Sequence, residues 1–191
     1  MVDSLDSHLE AGLPKGKKAM VFLKQAYDCG PQGLVNRALT DKLLAKSGLS
    51  FHVGTDDPSM RRIASWLLTY HNERIPELIG KMWKRRGRED VKLLGLLIAN
   101  QEGDAWAELM SIIDSPLPVD VMLDLVEEIR RSGRSIPSLE SLQRMVVDDL
   151  RHRLAMLIAS LDMNEDLVEL VTTAPIGGEL YERIRRRCLD A

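Results

Sequence analysis

The sequence predicts an all-α fold, a solenoid of antiparallel helix pairs, from three observations. Alternating strand patterns are absent, and β-branched residues never cluster with aromatics for more than a few positions. Glycines and prolines fall at helix-length intervals, leaving short connections that make consecutive helices antiparallel neighbours. A pattern also recurs along the chain. Ile63-Ala64-x-Trp66-Leu67-Leu68, followed by Glu77-Leu78-Ile79, returns as Leu94-Gly95-x-Leu97-Ile98-Ala99 with Glu108-Leu109-Met110. It returns again, about twice that distance further on, as Leu154-Ala155-x-Leu157-Ile158-Ala159 with Glu169-Leu170-Val171, the copy between having drifted over 116–150. Two helices per roughly 30 to 40 residues is the signature of helix pairs that bury their apolar faces against one another.

The elements follow in order. Residues 1–14 begin acidic and hold Gly12 and Pro14 ahead of the first periodic segment, which reads as a loosely packed tail. A helix is expected over 15–28, stopped by Gly30-Pro31, and a second over 33–47, stopped by Gly48 after Lys46 and Ser47. Asp57-Pro58 reads as an N-cap with proline at the first helical position, opening 57–71. Helices then span 74–86, 89–101, 104–114 and 118–132, separated by Gly87, Gly103 and Pro116. Beyond Gly133 and Pro137 lie 138–161, with a possible break, then 164–173 and 178–189. The 89–101 helix starts with Glu89 and Asp90 and is apolar nearly all round, so it must be covered on both sides. The whole of 1–191 reads as one domain, long enough for a single buried core and short for two.

Composition narrows the function classes. With 26 Lys and Arg against 29 Asp and Glu, the net charge is −3, and no global basic excess announces nucleic acid. The balance reverses between Met60 and Lys92, where nine cations face four acids. That local excess is either an anion-binding patch or a solvated helix face. Cys29 and Cys188 stand far apart without a CxxC, and the four histidines (His8, His52, His71, His152) are scattered. No metal site or disulfide framework is expected, nor any cofactor. The start of the chain lacks the apolar core of a signal peptide, and no apolar run approaches membrane-spanning length, so a cytoplasmic protein is expected. GxGxxG, P-loop and GxSxG patterns are absent.

The segment 51–99 carries more specific information. Phe51, Val53 and Gly54 precede Pro58, Arg61, Ile63 and Ala64, and then come Trp83, Glu89, Leu93, Leu94 and Gly95. This order resembles the DNA alkylation repair family of HEAT-like glycosylases, in which a Phe-x-Val-Gly…Pro-x-x-Arg-x-Ile/Leu-Ala segment precedes a Trp…Glu…Leu-Ala helix. About a quarter of the chain carries the likeness, with Gly95 where the family often has Ala. The resemblance implies a right-handed HEAT-like superhelix that binds duplex DNA on its concave face. It also implies an acid on a DNA-facing helix, preceded by a tryptophan one turn earlier, that stabilises the charge developing as an alkylated purine leaves its sugar.

In this chain that acid would be Asp120 or Asp124. Pro116 and Asp120 stand one turn earlier, and no Phe, Trp or Tyr occurs between Trp106 and Tyr181, so glycosylase chemistry is not expected to survive. Asp120 is equally a first-turn acid favoured by the helix dipole. The DNA-contacting candidates are Arg61, Arg62, Lys81, Lys84, Arg85, Arg86, Arg88 and Lys92. Lys81, Arg85, Arg88 and Lys92 would share one face if their helix were continuous, a face that Gly87 interrupts. Alternatively these cations close helix ends and pair with Glu77, Glu89 and Asp90. The chain would then be a HEAT-like scaffold for a protein partner on its concave face. Trp66, Trp83 and Trp106 lie within apolar helical patterns, which suits core packing more than base stacking.

Overall fold

The structure, a computed structural model, describes residues 4–31 and 48–190. Every regular element among them is helical. The helices are α1 (Ser4–Glu10), α2 (Lys18–Cys29), α3 (Asp57–Tyr70), α4 (Ile75–Arg85), α5 (Arg88–Asn100) and α6 (Ala105–Ile112). They continue as α7 (Val119–Arg131), α8 (Leu139–Met145), α9 (Asp149–Ala159), α10 (Val168–Thr173) and α11 (Glu179–Leu189). Short 3-10 turns at Asn72–Arg74 and Glu165–Leu167 lead into α4 and α10. The helix expected over 33–47 lies outside the described residues.

Local chemistry sets the ends. At the start of α3 the cap is Asp56, one residue earlier than the Asp57-Pro58 reading: its carboxylate accepts the Ser59 N–H at 3.0 Å. Asp57 and Pro58 are the first two helical residues, where a proline loses no hydrogen bond. Asp104 caps α6 by accepting from Trp106 and Ala107. The 138–161 segment does break. Val146 leaves the helical region, and Asp148 opens α9 by accepting the Arg151 N–H at 2.8 Å.

The chain divides into two compact units, Met1–Leu97 and Ile98–Ala191. In the first, α1 and α2 both pack against α3, and α2 also packs against α4. The expected tail is instead the short helix α1, with Leu5 and Leu9 buried. Its polar groups are tied down too: Ser4 Oγ donates to the Cys29 carbonyl at 2.9 Å, and His8 lies in hydrogen-bond contact with the Phe22 carbonyl. An acidic start hid two leucines four residues apart, which is one helical stripe. In the second unit α9 is central, touching α7, α8 and α10, while α11 packs on α10 and α7.

The recurring pattern falls consistently on the elements. Each copy places its first part on one helix and its second on the next: α3 and α4, α5 and α6, α9 and α10. Leu154–Ala159 of α9 is buried throughout, as is Leu93–Ala99 of α5. The all-round burial required of α5 is therefore met. Each such Leu or Ile removed from water contributes about 1.5–3 kcal/mol before entropy is subtracted.

Candidate nucleic-acid interface and its buried carboxylates

The cations lie around the turn from α4 into α5, so this turn is built first. Helix α4 ends with Arg86 in the left-handed region (φ 54°, ψ 36°), the only non-glycine residue among those described with positive φ. Gly87 follows, but not to supply positive φ. A Cβ there would sit 2.0 Å from the Phe51 ring, so its role is close approach. The segment after Ser50 lies along this turn. Ser50 N–H donates to the Arg86 carbonyl at 2.8 Å, and Arg88 N–H donates to the Phe51 carbonyl at 2.9 Å.

Two acids in the first turn of α5 fix this arrangement. Asp90 is fully buried. It accepts from the Tyr27 hydroxyl at 3.0 Å, from Arg85 Nε at 2.6 Å and from the Gly87 N–H at 3.2 Å. The last bond is half of a capping box, an acid reaching back to the residue before the helix. Glu89, 4 % exposed, accepts the N–H groups of Val53 at 2.9 Å and Gly54 at 2.8 Å, with His52 Nε2 3.5 Å from the same oxygen. Phe51 is flanked by Lys24 and Arg85, each about 5 Å from the ring centroid. Val53 and Gly54 are thus bonded to Glu89, and Phe51 is bonded to Arg88 next to it in the same turn.

The electrostatics follow from burial. Burial pushes the Tyr27 hydroxyl well above its ordinary pKa, and Asp90 beside it pushes further. Burial works against the charge on Arg85, but Asp90 outweighs it, and the guanidinium is held more firmly protonated than usual. Asp90 is enclosed by donors, whereas Glu89 holds the 53–54 backbone through Oε1 alone, its Oε2 being buried without a hydrogen-bond partner among the described residues. Both carboxylates fasten the turn between α4 and α5.

The cations meet different environments. Arg85 turns inward, bonding Asp90 and the Met20 carbonyl. It leaves the expected stripe, which the break at Arg86–Gly87 splits between α4 and α5 in any case. Lys81 pairs with Glu77 and Arg62 with Asp6. Asp57 receives both Arg61 Nε at 2.7 Å and Lys92 Nζ at 2.6 Å. Partial burial would raise the Asp57 pKa, but these two cations together hold it below its usual value. Lys84 is exposed at the end of α4, and Arg86 lies 5.2 Å over the Trp83 ring. Arg88 is half-buried in the first turn of α5.

The acids considered for chemistry sit in the second unit. Asp120, in the first turn of α7, is exposed, and Asp124 is half-buried. Trp106 is buried, with its Nε1–H donating to the Ser135 carbonyl at 2.8 Å. Trp83 is buried as well, while Trp66 is only half-buried. Among the described residues no group of three metal-ligating side chains occurs, and no helix among them is long and apolar enough to cross a membrane. Sequence reasoning missed Tyr27 as the partner of Asp90, because 63 residues separate them and the tyrosine sits in an ordinary amphipathic stripe. Compared with protein-family models, curated proteins and solved structures, the chain finds no match in any of the three.

Proposed function

We propose that the chain is a HEAT-like helical-repeat protein similar to the DNA alkylation repair proteins, binding duplex DNA through the cations of α3–α5 without excising bases. The carrying observation is the convergence at the α4–α5 turn. Of the residues chosen for their order in the sequence, Val53 and Gly54 donate their N–H groups to Glu89, and Phe51 lies against Gly87 two residues before it. The HEAT-like superhelix is the finer part of the proposal. It is supported by a repeat whose every copy spans a helix and its successor.

The DNA half of the reading rests on exposed charge. The pairs at Lys81, Arg61 and Arg62 are solvent-accessible, and such pairs are weak enough for a phosphate to replace the carboxylate. Arg85 is excluded from the contact set by its bonds to Asp90. Base excision is left out because an exposed Asp120 and a half-buried Asp124 have no aromatic ring one turn earlier to hold a sugar. The second reading is a scaffold for a protein partner. It is favoured by the same pairing, since cations already matched with carboxylates on their own surface gain less from phosphates.

Fluorescence anisotropy with a labelled duplex separates the two. About four phosphate contacts predict a log–log salt slope near −3 to −4, independent of base sequence. Absence of binding at about 50 mM salt decides for the scaffold. In the companion assay, release of 7-methylguanine from methylated duplex stays at the spontaneous rate. Release above that rate, lost in Asp120→Asn or Asp124→Asn, restores the glycosylase reading.

A further inference from the structure

A concave surface lies in the first unit, lined by residues of α1, α3 and the turn after α3. It is an open cleft of about 670 Å³ whose lining includes Asp6, Glu10, Arg62, Trp66, Tyr70 and His71. Its size falls within the range of ordinary ligand sites. Two aromatic side chains in it reach solvent: Trp66 is half-buried, and Tyr70, at 70 % exposure, is the most exposed Phe, Trp or Tyr among the described residues.

The wall is fixed in place. The Trp66 ring is oriented by Phe22, stacked at 5.8 Å, and by His71, edge-on at 4.6 Å. His8 stacks in turn on Phe22 at 4.0 Å. Arg74 holds the chain after α1 by donating to the carbonyls of Leu13 at 3.1 Å and Pro14 at 2.9 Å. These contacts fix the Trp66 side of the cleft, which lowers the entropy lost on binding there.

Its charge is one-sided. Arg62 and Asp6 are bonded to each other and cancel. Glu10 is exposed and has no ion pair among the described residues. The cleft therefore presents one uncompensated carboxylate beside accessible Trp and Tyr rings. A guanidinium meets both features at once: its plane stacks on aromatic faces and its N–H groups match a carboxylate. We propose that this cleft binds an arginine side chain of a partner peptide, with Glu10 as counter-ion and Trp66 and Tyr70 as stacking faces.

Arg62 lines this cleft and also belongs to the DNA-contact set, so the test alters only Glu10 and Tyr70, which do not, and reads peptide binding without DNA present. The test is titration of the full chain with N-acetyl-Gly-Arg-Gly-amide, followed through the indole N–H resonances of its three tryptophans. Saturable shifts confined to Trp66, with a Kd in the millimolar range or tighter, are expected. The same peptide with citrulline in place of arginine, which keeps the shape and removes the charge, should produce none. Glu10→Gln should weaken binding about tenfold and Tyr70→Ala about three- to fivefold. Both side chains are exposed, so an unchanged thermal midpoint checks that each variant is folded. No shift at about 10 mM peptide, equal shifts from the citrulline peptide, or affinity untouched by both substitutions would each overturn the assignment.

Discussion

The first turns of α5 and α7 invite comparison, because each is a helix start carrying acid. In α5, Glu89 and Asp90 are buried and bonded to groups as far away in sequence as Val53 and Tyr27. In α7, Asp120 is exposed, and Asp124 one turn on is half-buried. The local physics is the same, since a helix N-terminus favours negative charge wherever it occurs. What differs is what the rest of the chain brings. A tyrosine, an arginine and a docked loop meet the acids of α5 and turn a modest dipole preference into the fastening of a turn. The acids expected to do chemistry lie at the less buried start. Glu89 and Asp90, read in the sequence as partners of nearby cations, hold the first unit's turn together.

The sharpest way to break this comparison is Asp90→Ala. It leaves the half-buried Arg85 guanidinium without its carboxylate and Tyr27 without its acceptor, which should cost about 3–5 kcal/mol. Asp120→Ala should stay within about 0.5 kcal/mol. Urea melts of the two variants give the result directly, and equal losses would end the argument that burial separates them. Trp83→Ala tests the same turn from the core side. The indole is 7 % exposed, and truncation should cost about 3–5 kcal/mol, a folding lesion before it is a binding one. An unchanged melt with lost DNA affinity would make Trp83 a ligand contact instead.

The alkaline limb gives a smaller effect with a definite sign. Tyr27 has its folded pKa raised by burial, so below about pH 10 both folded and unfolded states keep it neutral. Above that pH only the unfolded chain ionises readily, and stability falls as pH rises towards the folded value. Burial acts on Tyr181 in the same direction. Melts between about pH 8 and pH 11 should show this loss, with a shallower slope in Tyr27→Phe. An identical slope in the variant would mean that Tyr27 is not responsible. The smallest effect is expected for Lys81→Gln, whose exposed pair with Glu77 should leave the thermal midpoint where it was while reducing the salt slope of DNA binding by about one. A shifted midpoint would show that pair to be structural.

The all-helical class, the places where most helices begin and end, and the all-round burial of α5 were readable in the sequence. The reason is that they depend on spacing a few residues long: a 3.6-residue apolar period, a side chain that caps the next turn, a glycine or proline that cannot continue one. The excess of cations between Met60 and Lys92 was equally readable, being a count. Tertiary structure alone decided which of those charges face water. Arg85 and Lys84 are adjacent in the chain and indistinguishable by composition, yet one is bonded to a buried aspartate and the other is exposed. Gly87 reads as a helix stop, but its lack of a side chain serves a phenylalanine 36 residues upstream, and the left-handed turn falls to Arg86. Local spacing fixes backbone conformation because neighbours in sequence compete for the same hydrogen bonds. Partners distant in sequence are chosen only when packing brings them together, and no pattern within one helix records that choice.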